Sequence, residues 1–113
     1  MNDELISQLI ALPNTYLGEA PIEKDSCQWI RLSSGASKTF FGLKNIDSPE
    51  YTLYVRDPSN RVAANVIQDC YTKLQNWTDE SKALRVSRLP SYVGRDDKHR
   101  SVYTLRVQFI VGG

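Results

Sequence analysis

The sequence predicts an α+β domain: a mainly antiparallel four-stranded sheet with two helices packed on one side. Three observations predict it. Residues 62–77 place apolar side chains every three or four positions, which is the period of a helix. Residues 51–57, 82–90 and 102–111 alternate apolar with polar, which is the period of a half-buried strand. The strands also come in runs with the helices set apart, rather than in strict βα alternation. With 113 residues the chain reads as a single domain, 1–113, able to bury roughly two-thirds of the surface its unfolded chain exposes.

The elements follow in order. Residues 2–12 form a first helix: Asn2 or Asp3 caps it, Leu5, Ile6, Leu9, Ile10 and Leu12 make a broad apolar stripe, and Pro13 stops it. So short a helix must dock on its own sheet or on a neighbouring subunit. "YLGEAPIEKD" is a loop marked by Gly18 and Pro21. "SCQWIRLS", residues 26–33, is a strand with Cys27 and Trp29 on one side and Ile30 and Leu32 on the other; it reads as covered on both faces.

Residues 34–50 are the least regular part and carry the adjacent pair Phe40–Phe41. Neighbouring rings cannot share one face of an extended chain, so they either fold back onto the core or meet a partner. Residues 51–57 are a second strand with Tyr51, Leu53 and Val55 on one face. Asp57 is a helix cap and Pro58 a first helical residue, opening an amphipathic helix with Val62, Val66, Ile67, Cys70, Tyr71, Leu74 and Trp77 on its buried stripe. Residues 82–90 are the third strand. Residues 102–111 are the fourth, with Tyr103, Leu105, Val107, Phe109 and Val111 on the core face. The helix between strands two and three leaves room for a crossover, hence for a mixed sheet.

The net charge is +1, unevenly spread: residues 1–57 carry five basic and eight acidic groups, residues 58–113 nine and five. That split favours head-to-tail contact between copies as readily as nucleic-acid binding. Cys27 and Cys70 read as buried small apolar groups, which suits a reducing cytoplasm. "MNDELISQLIALP" is acidic and broken, unlike a signal peptide, and no apolar run nears the roughly 20 residues of a membrane span.

Three chemistries compete for the charged segment "PSYVGRDDKHRSVYT" and the strands around it. A metal-dependent hydrolase would use Asp96, Asp97 and His99, although the chain's single histidine has no spaced His, Cys or Glu partner. A small nucleic-acid-binding module would use Trp29, Tyr51, Tyr54, Tyr103 and Phe109 beside arginines, but strand aromatics more often pack under helices. The third reading is a structural turn, with Gly94 supplying an unusual backbone angle, Asp96 and Asp97 accepting local backbone hydrogen bonds, and Arg100 among the flanking bases. Nucleophile, phosphate-loop and dinucleotide motifs are absent from the sequence, and the reading adopted is a non-enzyme without cofactor or metal.

Three stretches together resemble one family. They are the N-terminal helix followed by "YLGEAP", the block "LYVRDPSNRVAANVIQDCYTKLQN", and a last block fitting P-x-x-[LIV]-G-x-D-x-x-x-R-x-x-[FY]-[ST] through Pro90, Val93, Gly94, Asp96, Arg100, Tyr103 and Thr104. The chain resembles the tail terminator proteins, also called minor capsid or tail completion proteins, of long-tailed bacteriophages. The resemblance implies a similar fold and a structural virion protein. It implies a homo-hexameric ring that caps the tail tube, ends its polymerisation and offers the head–tail joining surface. The implied partners are further copies of the chain, the tail tube protein and a head completion or connector protein. DNA would pass through the ring without sequence-specific binding, and no membrane would be involved. The implied place is the head-proximal end of the tail, after assembly in the bacterial host cytoplasm. On this reading Phe40, Phe41, Lys44, Arg85, Arg88 and Arg106 lie at subunit, channel or tube contacts.

Overall fold

A computed structural model describes residues 2–34, 49–79 and 82–111. It contains α1 (Asn2–Ile10), β1 (Thr15–Leu17), β2 (Cys27–Ser34), β3 (Glu50–Asp57), α2 (Asn60–Leu74), β4 (Lys82–Arg95) and β5 (Ser101–Val111). The strands form one five-stranded sheet in the order β1-β2-β3-β5-β4. The α+β class and the two helices match expectation. The sheet has one strand more than expected and is mixed, because β1 runs parallel to β2 while every other neighbouring pair is antiparallel.

The extra strand falls where a loop was expected. Thr15–Leu17 has no alternation to betray it, and backbone bonds hold it at its ends: Gln28 N–H donates to the Asn14 carbonyl (3.0 Å) and Gly18 N–H to that of Ile30 (2.8 Å), while Thr15 Oγ1 donates to Gln28 Oε1 (3.0 Å). Adjacent parallel strands normally need a crossover of a dozen residues or more. Here β1 is only three residues long, so the segment 18–26 suffices to bring the chain back to the start of β2. A second crossover, through α2, takes β3 to β4 and leaves a slot that β5 fills.

Both helices cover one face of the sheet. Ile6 and Ile10 of α1, with Ala63, Ile67, Cys70 and Leu74 of α2, meet Ile30, Leu53, Val55, Leu84, Leu105, Val107 and Phe109 of the strands in one buried cluster. The alternation predicted for β3 and β5 holds: Leu53 lies opposite Leu105, and Tyr51 opposite Val107. Each fully buried side chain of this size stabilises the fold by about 1.5–3 kcal/mol. β2 is covered on both sides at its start, Ile30 by the helices and Cys27 by the segment 18–26, but Leu32 beyond them is 53% exposed.

Helix ends differ from the sequence pattern for local reasons. α1 stops at Ile10, two residues early. Ala11 turns to a positive φ of 51°, and the Lys73 ammonium of α2 takes the free Ile10 carbonyl at 2.7 Å. α2 is capped by Ser59, whose Oγ accepts the Val62 N–H, whereas Asp57 accepts the N–H of Ser59 and Pro58 precedes the cap. The buried stripe consequently starts at Ala63, and Val62 is exposed.

β4 is longer than predicted, running through Pro90 to Arg95. It forms an outer edge of the sheet, and its pairing with β5 shifts register between Val86 and Arg88, between Arg88 and Ser91, and between Tyr92 and Gly94. Gly94 takes φ 139°, a left-handed value that a side chain would strain.

Candidate functional site

The charged segment closes the β4–β5 hairpin as a tight bend. Asp96 N–H donates to the Arg100 carbonyl (3.0 Å) and His99 N–H to the Asp96 carbonyl (2.9 Å). The Asp96 carboxylate accepts the backbone N–H groups of Lys98 (3.0 Å) and Arg100 (2.9 Å) on Oδ1, and Arg100 Nε (2.8 Å) on Oδ2. A second guanidinium nitrogen of Arg100 also lies 2.8 Å from Oδ2. Partial burial alone would raise the Asp96 pKa. The hydrogen bonds from the Arg100 side chain and from two backbone N–H groups, with the guanidinium charge, outweigh it and hold the carboxyl below its usual range.

Arg100 is 3% exposed and reaches past the bend. Its NH1 donates to the carbonyls of Ile22 (2.6 Å) and Lys24 (3.0 Å) and lies 3.4 Å from Asp25 Oδ1. Arg56, also buried, donates from the neighbouring strand to the carbonyls of Pro21 (2.6 Å) and Lys24 (2.5 Å). Two arginines therefore satisfy the carbonyls of Pro21, Ile22 and Lys24 and pin the segment 18–26 across the end of the sheet. Sequence gave no sign of this, because buried arginine has no periodicity of its own.

Asp97 and His99 are exposed, and His99 adopts a positive φ of 61° at the corner. Among the described residues no three His, Cys, Asp or Glu side chains gather in a way that could hold a metal ion. The bend thus spends Asp96 on four donors rather than presenting it to a substrate.

The second candidate surface is the sheet face that no described helix covers. Arg85, Arg88 and Arg106 all lie on it. Arg88 is directly opposite Arg106, Arg106 opposite Thr52, and Thr52 opposite Arg31, so one row crosses four strands with three arginines. Thr52 is only 5% exposed although no described helix lies over it. Arg85 belongs to the adjacent row and donates to Gln108 Oε1 (2.9 Å). Glu50 is the carboxylate of this face: it accepts from Ser87 Oγ and lies 3.8 Å from an Arg106 nitrogen. Arg31 and Arg88 are exposed, and among the described residues their side chains make no hydrogen bond or ion pair. Arg31 was missed in the sequence. The signal was its place on β2 opposite the Ile30 side.

The aromatic candidates divide between the two faces. Tyr51, Tyr103 and Phe109 sit on the helix side, packed in or against the core. Trp29 and Tyr54 sit on the open face, but their rings stack on each other at 4.9 Å and 5°, and the Arg56 guanidinium lies 5.2 Å from the Trp29 ring. An open hollow of about 390 Å³ lies between the end of α2 and β4, lined by residues including Tyr71, Leu84, Arg85, Val86 and Leu89. Phe40, Phe41 and Lys44 lie outside the described residues.

Residues 4–111 match a family model described as bacteriophage tail terminator protein. No curated protein matches the chain.

Proposed function

We propose that this chain, which belongs to the bacteriophage tail terminator family, forms a ring that caps the tail tube, ends its polymerisation and offers the surface to which the head is joined. The family's role is structural, in the phage tail. The finer reading gives the ring six copies and sets it at the head-proximal end of the tail, after assembly in the host cytoplasm. Its partners are the tail tube protein and a head completion or connector protein, with DNA passing through unread.

The observation that carries this reading is the family match over nearly the whole chain. Two physical points support it. A charge split of this kind favours a head-to-tail contact, acidic half against basic half, and such a contact repeated about a rotation axis closes into a ring. With both described helices on one side, the other face, with Arg85, Arg88 and Arg106, can line a channel or a subunit contact. Phe40, Phe41 and Lys44 are assigned to docking on the tube's last ring.

Electron microscopy of tails assembled without this chain tests the proposal. Overlong tubes are expected, and tubes of normal length would defeat it. Phe40→Ser combined with Phe41→Ser is expected to reproduce the overlong phenotype; unchanged capping would remove that pair from the mechanism.

A further inference from the structure

We infer that the sheet face opposite the two described helices binds the phosphodiester backbone of a nucleic-acid duplex, through Arg31, Arg88 and Arg106 with Arg85 beside them.

The first argument is electrostatic. Arg88 and Arg106 are direct cross-strand partners, and like charges placed so are destabilising. Arg31 extends the same row at the far side of Thr52. Among the described residues Glu50 is the carboxylate 3.8 Å from Arg106, it also accepts from Ser87, and no described carboxylate pairs with Arg31 or Arg88. An anion spanning the row would relieve this repulsion and meet guanidinium forks suited to phosphate oxygens.

The second argument concerns the class of anion. From β2 to β4 the row crosses three strand spacings, about 14 Å. That is comparable with the major groove of a duplex, about 12 Å wide and flanked by two backbones. An acidic protein partner would be expected to find an apolar centre to bury. The row beside it on one flank holds Trp29, Tyr54, Thr104 and Ser91 and the row on the other holds Glu50, Gln108 and Arg85, so apart from the mutually stacked Trp29–Tyr54 pair the surroundings have the polar and basic character of nucleic-acid interfaces. A single strand is disfavoured because stacking of splayed bases needs a free aromatic platform. One face of the Trp29 ring is taken by Tyr54, and the Arg56 guanidinium sits over the ring as well.

Binding of this kind reads no bases, and it depends on this face rather than on ring closure. The test is fluorescence anisotropy of the full chain with a labelled, random-sequence DNA duplex over a range of salt. Affinity is expected to fall linearly on log–log axes as salt rises, with a slope of about −0.9 per phosphate neutralised. Arg31→Gln with Arg88→Gln should flatten that slope by about two. Glu50→Gln should tighten binding several-fold, a gain that misfolding cannot mimic, and Lys98→Ala on the bend should change nothing. No binding at low salt would overturn the inference, as would an unchanged slope in the double variant. Displacement by polyglutamate as readily as by duplex would overturn it in favour of an acidic protein surface. Tail length in the absence of the chain is a separate measurement, so either proposal can fail alone.

Discussion

Asp96 holds Arg100 twice, by its backbone N–H and by its guanidinium, within a bend of five residues. The carboxylate fixes the turn, and the turn aims a buried guanidinium at the carbonyls of Ile22 and Lys24, more than seventy residues earlier in the chain. The bend is therefore a tertiary clamp as well as a hairpin closure.

Removing Asp96 takes from the buried Arg100 its principal counterion while Asp25 and the carbonyls of Ile22 and Lys24 remain, and losing charged hydrogen bonds of this kind costs about 2 kcal/mol. Asp96→Ala is expected to lower the urea midpoint accordingly. Asp97→Ala, at an exposed position next door, is expected to stay within about 0.5 kcal/mol. Equal effects of the two substitutions would show that the clamp does not stabilise the fold.

The same pair sets an acid limit. The Asp96 pKa is depressed in the folded protein, so the unfolded chain binds the proton more readily and stability declines as pH falls. The contribution is whole above the ordinary aspartate value of about 3.9 and disappears as pH drops through the lower folded value. Urea titrations at neutral pH and below pH 4 should show the gap between the parent and Asp96→Asn narrowing in acid. A gap that stays constant would contradict the assignment.

Burial pushes the Cys70 thiol up to about 12, and burial also raises Cys27 despite the nearby positive charges of Arg56 and Arg100. Both are buried and free. A chromogenic thiol reagent at pH 8 should label neither in the native protein and both in denaturant. Because the folded value for Cys70 lies above the unfolded one, its contribution is full below about pH 9 and is lost as pH rises toward 12. Fast native labelling of either thiol would show that its end of the core opens readily.

Leu53 and Leu89 test the core assignment. Leu53 is fully buried between α2 and its cross-strand neighbours Ile30 and Leu105, whereas Leu89 on β4 is 63% exposed. Leu53→Ala should destabilise by about 3–4 kcal/mol and Leu89→Ala by less than about 0.5 kcal/mol. Thermal melts of the two variants would separate them at once.

The parts legible in the sequence were those with a long period. The stripe from Val66 to Trp77 located α2, and the alternation from Tyr103 to Phe109 located the core face of β5. Short or aperiodic features were not legible. β1 is three residues tied in by backbone bonds and one Thr15–Gln28 side-chain bond, too short for any side-chain period to register. The choice of Ser59 over Asp57 as cap turns on one residue of backbone geometry. The clamp of Arg56 and Arg100 on the segment 18–26 joins positions that share no local pattern. The arginine row needs the strand order, because only the placement of β5 between β3 and β4 sets Arg88 beside Arg106.

The irregular course of β4 bears on how copies of this chain meet. Proline at position 90 lacks the N–H that an added strand would need, and three register shifts break the even spacing of backbone groups along that margin. An incoming strand finds no continuous template there, so indiscriminate stacking into fibrils is discouraged while chains accumulate. Association along this side has to be negotiated by side-chain shape and charge, and such contacts can wait for the right partner.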